Sequence, residues 1–275
     1  MQMNICYYYL MVEPLLPEYH DESTVEPASY AIVKTKSKEY KVSFFANNNQ
    51  LCMIRIDIPN VPSEIIPEED LEPIQTMKEH ILSVLRLTYD HNVSLFPRPM
   101  WNFRKLGQTP SFHVKIDELI NPNFDLHVEN IRNVFATTFP IRVQIKLFSD
   151  SQDKRLPLQY RYLSLYKLLE LEFKKRGKWT NGFQNFISRF EDDFKSLGKD
   201  KKLANYVHEL RDKCSHIKSK KDILGVTQLS NRDMLEVHRF LPLMTKVCLN
   251  MINEKYRDKG FSLVNYETFS RRLRN

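Results

Sequence analysis

Glycine is scarce in this chain, with 6 in 275 residues, and only Gly107 lies within the first 150. A loop that cradles a phosphate can scarcely be built there, and that half holds no G-x-G-x-x-G, no G-x-x-x-x-G-K-[ST] and no H-E-x-x-H. Cysteine is equally thin. Cys6, Cys52, Cys214 and Cys248 stand far apart without a C-x-x-C pair, which argues against a zinc site and for free thiols in a reducing cytosol. No run approaches the roughly 18 apolar residues of a membrane span, and the opening MQMNICYYYLMVEP has no basic stretch before its apolar patch. The expected setting is cytoplasmic, with no membrane, metal or cofactor.

What is present is a chain of two unlike halves. Hydrophobic residues make up 42% and charged residues 27%, enough for a real core. Of 14 prolines, 12 lie in residues 1–150, whereas five of the 6 glycines lie beyond. Proline is expelled from helix interiors and glycine commonly ends helices, so the split predicts an α+β first half and an all-helical second half. Charge divides at the same place. Residues 1–150 carry 14 Lys and Arg against 19 Asp and Glu, a net of −5; the remainder carries 27 against 15, a net of +12. A helical domain of that charge is predisposed towards a polyanion. The expected organisation is an α+β domain over 1–126 that senses a signal or positions substrate, a helical bundle over 127–260, and a basic tail over 261–275.

In the first half, β-branched and aromatic alternation predicts strands at 4–11, 29–36, 39–46 and 51–58. Asn47-Asn48-Asn49 is a suitable hairpin connection between the last two. Leu71, Ile74, Met77, Ile81, Val84, Leu85 and Tyr89 have helical spacing, so a helix over about 68–90 should cover the resulting antiparallel sheet. The proline-rich stretch 96–110 reads as a surface loop, in which Trp101, Phe103, Arg98, Arg104 and Lys105 either pin the loop to its own domain or form a stacking and phosphate-contact patch. His20, His80, His91, His113 and His127 have no ligand spacing.

From residue 128 onward the pattern is helical: 128–139, 140–149, 157–175, 181–197, 201–218 and a long helix from Ser230 or Asn231 to about Asp258, with Pro242 as a kink. The connections are short, so neighbours should pack antiparallel. On 201–218, Leu203, Val207, Leu210, Cys214 and Ile217 form one narrow apolar stripe. At about 100° per residue, Arg211 lies about 80° from its centre, Ser215 about 120°, His208 about 140°, Asp212 about 180° and His216 about 140° round the other side. Arg211, Asp212 and His216 thus share the face away from the stripe. Asp212 and His216, four residues apart, are placed for the carboxylate to accept a proton from one imidazole nitrogen and leave the other free. Such a face is also what any solvated amphipathic helix presents.

The run Arg211-Asp212-Lys213-Cys214-Ser215-His216 resembles the R-x(4–6)-H signature of the HEPN (higher eukaryotes and prokaryotes nucleotide-binding) superfamily of small helical ribonucleases. The segment 160–172 (YRYLSLYKLLELE) is similar to the helix that precedes that motif in the MauJ-like and Apea-like branches, where a variable N-terminal domain also comes first. The resemblance covers about residues 140–258. It implies metal-independent endoribonuclease chemistry: the ribose 2′-OH attacks the adjacent phosphate, leaving a 2′,3′-cyclic phosphate and a 5′-OH end. That reaction needs a proton carrier titrating near neutrality and a cation on the developing phosphorane, roles that the resemblance gives to His216 and Arg211. Asp212 would orient His216. Glu170 resembles an acidic residue that some members hold near the motif, with Glu172 equally available; Ser215 and His208 are supporting candidates, His208 being expected mostly in solvent. Lys218, Lys220 and Lys221 are candidate RNA contacts, and Arg271, Arg272 and Arg274 lie in the basic tail.

On one ideal helix Arg211 and His216 diverge by about 140° and are separated by a rise of about 7.5 Å, so a single copy does not aim both at one phosphate. Two copies about a two-fold axis can, and members of the family usually dimerise in this way. The expectation is therefore a homodimer through the helical domain, acting on RNA as a toxin or phage-defence and stress effector, with a cognate antitoxin or defence protein as a further partner. The alternative is a non-catalytic nucleic-acid-binding or dimerisation module of the same superfamily that regulates a partner protein.

Overall fold

The computed structural model describes residues 4–13, 20–21, 27–47, 50–62, 66–88, 94–97, 103–105, 113–114, 128–199, 201–215 and 231–257. It divides into two units, Met1–Arg142 and Val143–Asn275. The fold is α+β, with the sheet early and helices later.

The first unit runs β1 (Asn4–Glu13), β2 (His20–Asp21), β3 (Ser29–Lys34), β4 (Glu39–Asn47), β5 (Gln50–Val61), α1 (Glu68–Thr88), β6 (Ser94–Pro97), β7 (Phe103–Lys105), β8 (His113–Val114) and α2 (Val128–Thr138). The main sheet is antiparallel in the order β3-β4-β5-β1-β6. β7 also pairs with β1, so the outer side of β1 takes β6 along Leu10–Glu13 and β7 along Asn4–Cys6. β2 and β8 form a separate pair.

The period of two decides which side chains meet the helices. Ala31 and Val33, Val42 and Phe44, and Ile54, Ile56 and Ile58 enter one core with Met77, Ile81 and Leu85 of α1 and Ile131 and Phe135 of α2, while Tyr30 and Ile32 alternate outwards. At the start of α1 the buried Asp70 accepts hydrogen bonds from Tyr40 Oη and Lys38 Nζ, both at 2.6 Å, tying the helix to β4. Removing one member of such a pair leaves an unmatched buried charge, a cost of about 3–5 kcal/mol.

The four long strands and α1 agree with the sequence reading, the Asn48-Asn49 connection lying outside the described residues. Two points differ. Parts of the expected loop 96–110 are strand, because β6 and β7 complete the backbone pairing of β1; Arg98 and Trp101 lie outside the described residues. The division falls after Arg142 and not at 126/127, because α2 packs on β3, β4 and α1 and closes the first core. An apolar helical stripe specifies a buried face but not what buries it.

The second unit opens after a 3-10 turn at Phe139–Ile141. It contains α3 (Arg142–Gln152), α4 (Leu158–Phe173), a hairpin of β9 (Lys174–Lys175) and β10 (Lys178–Trp179), α5 (Asn181–Ile187), a 3-10 turn Ser188–Phe190, α6 (Glu191–Lys195), α7 (Leu203–Ser215) and α8 (Asn231–Tyr256). Two corrections apply here. The helix expected to 175 ends at Phe173 in a hairpin, and 181–197 is two short helices joined by a 3-10 turn, while Gly198 at φ 74° follows the second, where the sequence placed the stop. α4 packs against both α7 and α8. The fully buried Tyr162 donates its hydroxyl to the Val207 carbonyl at 2.8 Å, and Cys248 of α8 donates its thiol to the Leu165 carbonyl at 3.5 Å. Glu172 gathers Gln144 of α3 and Lys255 and Tyr256 of α8. Among the described residues, no helix is long and apolar enough to cross a membrane.

His80 gives the first unit a pH dependence. Its Nε2 faces the Phe135 carbonyl at 3.2 Å and Thr138 Oγ1 at 3.0 Å. A carbonyl only accepts, so Nε2 carries the hydrogen, leaving the buried Nδ1 unprotonated and without a partner among the described residues. Burial, opposed by the Phe135 hydrogen bond and aided by Arg142, lowers the pKa to about 4. The unfolded chain therefore binds the proton first. Stability is full above the ordinary value of 6.5 and declines as pH falls towards 4, by on the order of 3 kcal/mol. Urea denaturation of wild type and His80→Gln across that interval should show the decline shrinking in the variant; an equal decline in both would contradict the assignment.

Candidate active site

α4 and α7 bring together most of the described candidates. On α4, Tyr162, Leu165, Tyr166, Leu169 and Phe173 recur at spacings of three and four and are buried. On α7 the expected stripe holds at Leu203, Val207 and Leu210, with Cys214 partly buried. Burial raises the Cys214 thiol to about 12, so it is a packed thiol and not a nucleophile. The stripe is wider than expected, because Ala204 and Tyr206 are buried too, the latter with its ring 5.0 Å from both Phe194 and Phe240.

α7 is held to α8 mainly through one carboxylate. Glu236 accepts from Tyr206 Oη at 2.7 Å, Lys213 Nζ at 2.7 Å and Lys199 Nζ at 3.0 Å. Lys213 also pairs with Asp233 at 3.3 Å. Partial burial opposes the charge on Glu236, but these donors win and hold its pKa down to about 2. Lys213 lies inside the Arg-Asp-x-x-x-His run, so this network sets the rotation of the helix that presents Arg211.

Arg211 lies on the opposite flank. Its Nη1 donates to Asp212 Oδ1 at 2.9 Å, and its guanidinium sits 5.7 Å from the centre of the Tyr166 ring. The Asp212 hydrogen bond raises the pKa of a guanidinium that is cationic at any working pH. The Arg211 side chain is 36% exposed and that of Asp212 60% exposed, so the pair is a surface ion pair, of the kind worth at most about 1 kcal/mol and open to exchange with another anion.

His208 corrects the expectation of a solvated histidine. It is half-buried, with ring centres 4.9 Å from Trp179, 5.6 Å from Phe183 and 5.8 Å from Tyr166, and its Nδ1 shares a 2.9 Å hydrogen bond with Tyr166 Oη. Burial lowers its pKa, against the pull of Asp212 and Glu170, and burial raises that of Tyr166 to about 12. The pair is therefore neutral near pH 7, and His208 acts as a wedge that positions Tyr166 under Arg211. Sequence reasoning missed Tyr166, Trp179 and Phe183. The only signal was a tyrosine in a stripe position where leucine would fill the same space.

Glu170 and Glu172 prove to be distinct. The Glu170 charge acts on Tyr166, His208 and Arg211 while its carboxylate takes Lys174 at 2.8 Å; Glu172 is committed to Gln144, Lys255 and Tyr256. Ser215 is exposed at the last described turn of α7. His216, Lys218, Lys220, Lys221 and the tail 261–275 lie outside the described residues. Among the described residues, no group of three or more His, Cys, Asp or Glu could hold a metal ion.

Three measurements check this geometry. Glu236→Gln should destabilise the second unit by about 2 kcal/mol in urea denaturation near pH 7, because each cation loses a charged acceptor; a change under a few tenths would show that the network is ornamental. Wild-type stability should also decline as pH falls from the ordinary 4.5 towards 2, since Glu236 is charged in the folded state to a lower pH than in the unfolded chain. In an NMR titration, His208 should titrate below 6.5, and a higher value would show its ring open to water. No protein-family model matches this chain, and neither does any curated protein or solved structure.

Proposed function

We propose that the second unit is an endoribonuclease of HEPN type, with Arg211 as the cation on the scissile phosphate and His216 as the proton carrier. The observation that supports this most is the mounting of Arg211. A guanidinium braced on a tyrosine ring and held by one exposed carboxylate is preorganised, yet free to exchange that partner for a phosphate. His208 and Glu170 adjoin it. The reaction is an internal transfer. The 2′-oxygen loses its proton to the imidazole and bonds to phosphorus, the bond to the 5′-oxygen breaks, and that oxygen takes up a proton. A 2′,3′-cyclic phosphate and a 5′-OH result, with no redox partner and no water consumed.

A homodimer would bring a second Arg211 and His216 to the same groove. Met234 and Leu235 are exposed at the start of α8, and the neighbouring Asp233 and Glu236 bind Lys213, so apolar surface adjoins the part of α7 that carries the motif. A toxin or defence effector restrained by a cognate partner protein is the biological setting that this chemistry suits, and the cytoplasm is where its RNA lies. The second reading, a non-catalytic binding or dimerisation module, is favoured by one observation: Asp212 is engaged with Arg211.

Purified protein incubated with total RNA in EDTA should cut it, and Arg211→Ala and His216→Ala should each lower the rate at least about a hundredfold, the usual weight of a general acid–base or a transition-state cation. Cleavage that survives both substitutions, or that EDTA abolishes, contradicts the chemistry. No cleavage by wild type leaves the binding module. Light scattering should give a dimer at micromolar concentration.

A further inference from the structure

The hairpin that ends α4 holds the densest run of positive charge among the described residues, and most of that charge is not neutralised there. Lys174, Lys175, Arg176 and Lys178 fall within five residues. Lys174 is paired with Glu170, but the exposed Lys175, Arg176 and Lys178 have no carboxylate partner among the described residues. The helices beside them behave otherwise, since Lys199 and Lys213 meet Glu236, Lys255 meets Glu172 and Lys246 meets Asp193. Lys178 lies directly across from Lys175 in the two-stranded ladder, a placement of like charges that destabilises a hairpin. No contact among the described residues offsets it, and a polyanion laid over the tip would relieve it.

The turn is built to hold those cations out. Arg176 at φ 49° and Gly177 at φ 80° are both left-handed, as a two-residue primed turn requires, and a Cβ added at Gly177 would meet nothing within 4 Å. The base of the hairpin is closed by the Thr180 amide donating to the Phe173 carbonyl at 2.9 Å. Trp179 then anchors it, with its ring centre 4.3 Å from Phe183, 4.9 Å from His208 and 5.7 Å from Tyr166, the ring on which Arg211 rests. The charged tip and the candidate site thus share one aromatic cluster.

We infer that Lys175, Arg176 and Lys178 form a backbone clamp for single-stranded RNA, gripping successive phosphates of the strand whose scissile phosphate lies at Arg211. The assignment to RNA rests on the proposed function; the clamp itself rests on the hairpin. A strand held at the tip loses freedom before it reaches Arg211, which lowers the entropy cost of placing one phosphate against the guanidinium. Each cation displaces counterions from the strand, so binding should be steeply salt-dependent.

The probe is a fluorescein-labelled 20-nucleotide single-stranded RNA with every 2′-OH methylated, which this chemistry cannot cut, read by anisotropy over a salt series. Lys175→Gln/Arg176→Asn/Lys178→Gln should weaken binding at least about tenfold and reduce the slope of log affinity against log salt by about 2, three contacts at about 0.7 each. Asparagine tolerates the left-handed conformation at 176 and all three side chains are exposed, so circular dichroism and melting should match wild type. A control that removes as many charges elsewhere, Lys36→Gln/Lys154→Gln/Arg239→Gln, should bind nearly as wild type. In a Trp101→Phe background, Trp179 emission should change on adding the RNA. Unchanged binding by the hairpin variant, an equal loss in the control, no binding by wild type, or tighter binding to vesicles of anionic lipid than to RNA would each overturn the clamp. Cleavage of unmethylated RNA is scored separately: hairpin-dependent binding without cleavage upholds the clamp and refutes the nuclease, and cleavage with hairpin-independent binding does the reverse.

Discussion

Glu236 is the constraint on which the second unit turns. One carboxylate gathers a tyrosine hydroxyl and two ammonium groups, from α7 and from the segment just before it, so α7 cannot rotate about its axis without leaving a partly buried charge unmatched. Its apolar stripe would tolerate some rolling against α4, because hydrophobic contact has no direction. The Glu236 contacts do have direction, as does the Tyr162 hydroxyl on the Val207 carbonyl. Together they keep Arg211 on the flank where Tyr166 can brace it.

That flank has an ordered electrostatic plan. Glu170 neutralises Lys174 at the hairpin base and also acts on Arg211 and His208. Beyond it towards the tip the carboxylates stop. The +12 of the chain after residue 150 is therefore not an even coat of lysine, because many of the helical cations are spent in ion pairs that hold the bundle together. What a polyanion would meet is the unpaired remainder, and among the described residues three of those cations stand together at the turn.

How much of this was legible depends on the kind of information each feature needs. The four long strands and α1 were readable because period two and period 3.6 are local, and Gly198 was readable as a helix stop because its φ of 74° is a local demand. The hairpin was not, since Lys-Lys-Arg-Gly is also what completes a helix dipole, and only the left-handed pair Arg176-Gly177 tells the two apart. His208 was misplaced by an assumption: measuring angles from one stripe supposes one covered face, whereas α7 meets α4 on its stripe and Trp179 and Phe183 on its side. The helix over 128–138 was placed in the wrong unit for a related reason, because the stripe of Ile131 and Phe135 fits a sheet as well as a bundle.

The enclosure of His208 bears on which histidine can do chemistry. A proton carrier must present a ring nitrogen to substrate and must titrate near the working pH. His208 is walled by three aromatic rings, has Nδ1 committed to Tyr166, and is held neutral by burial; those properties suit a spacer. Tyr166, raised to about 12, stays protonated and serves as a platform. On the proposed function, proton transfer falls to His216, next in sequence after the exposed Ser215, while Arg211 five residues earlier supplies charge. An arginine and a histidine so spaced point to different azimuths on any single helix. If the nuclease reading holds, the chemistry therefore requires either a second copy of α7 or a strand bent around one, and a clamp beside Arg211 that holds the RNA backbone would assist in both arrangements.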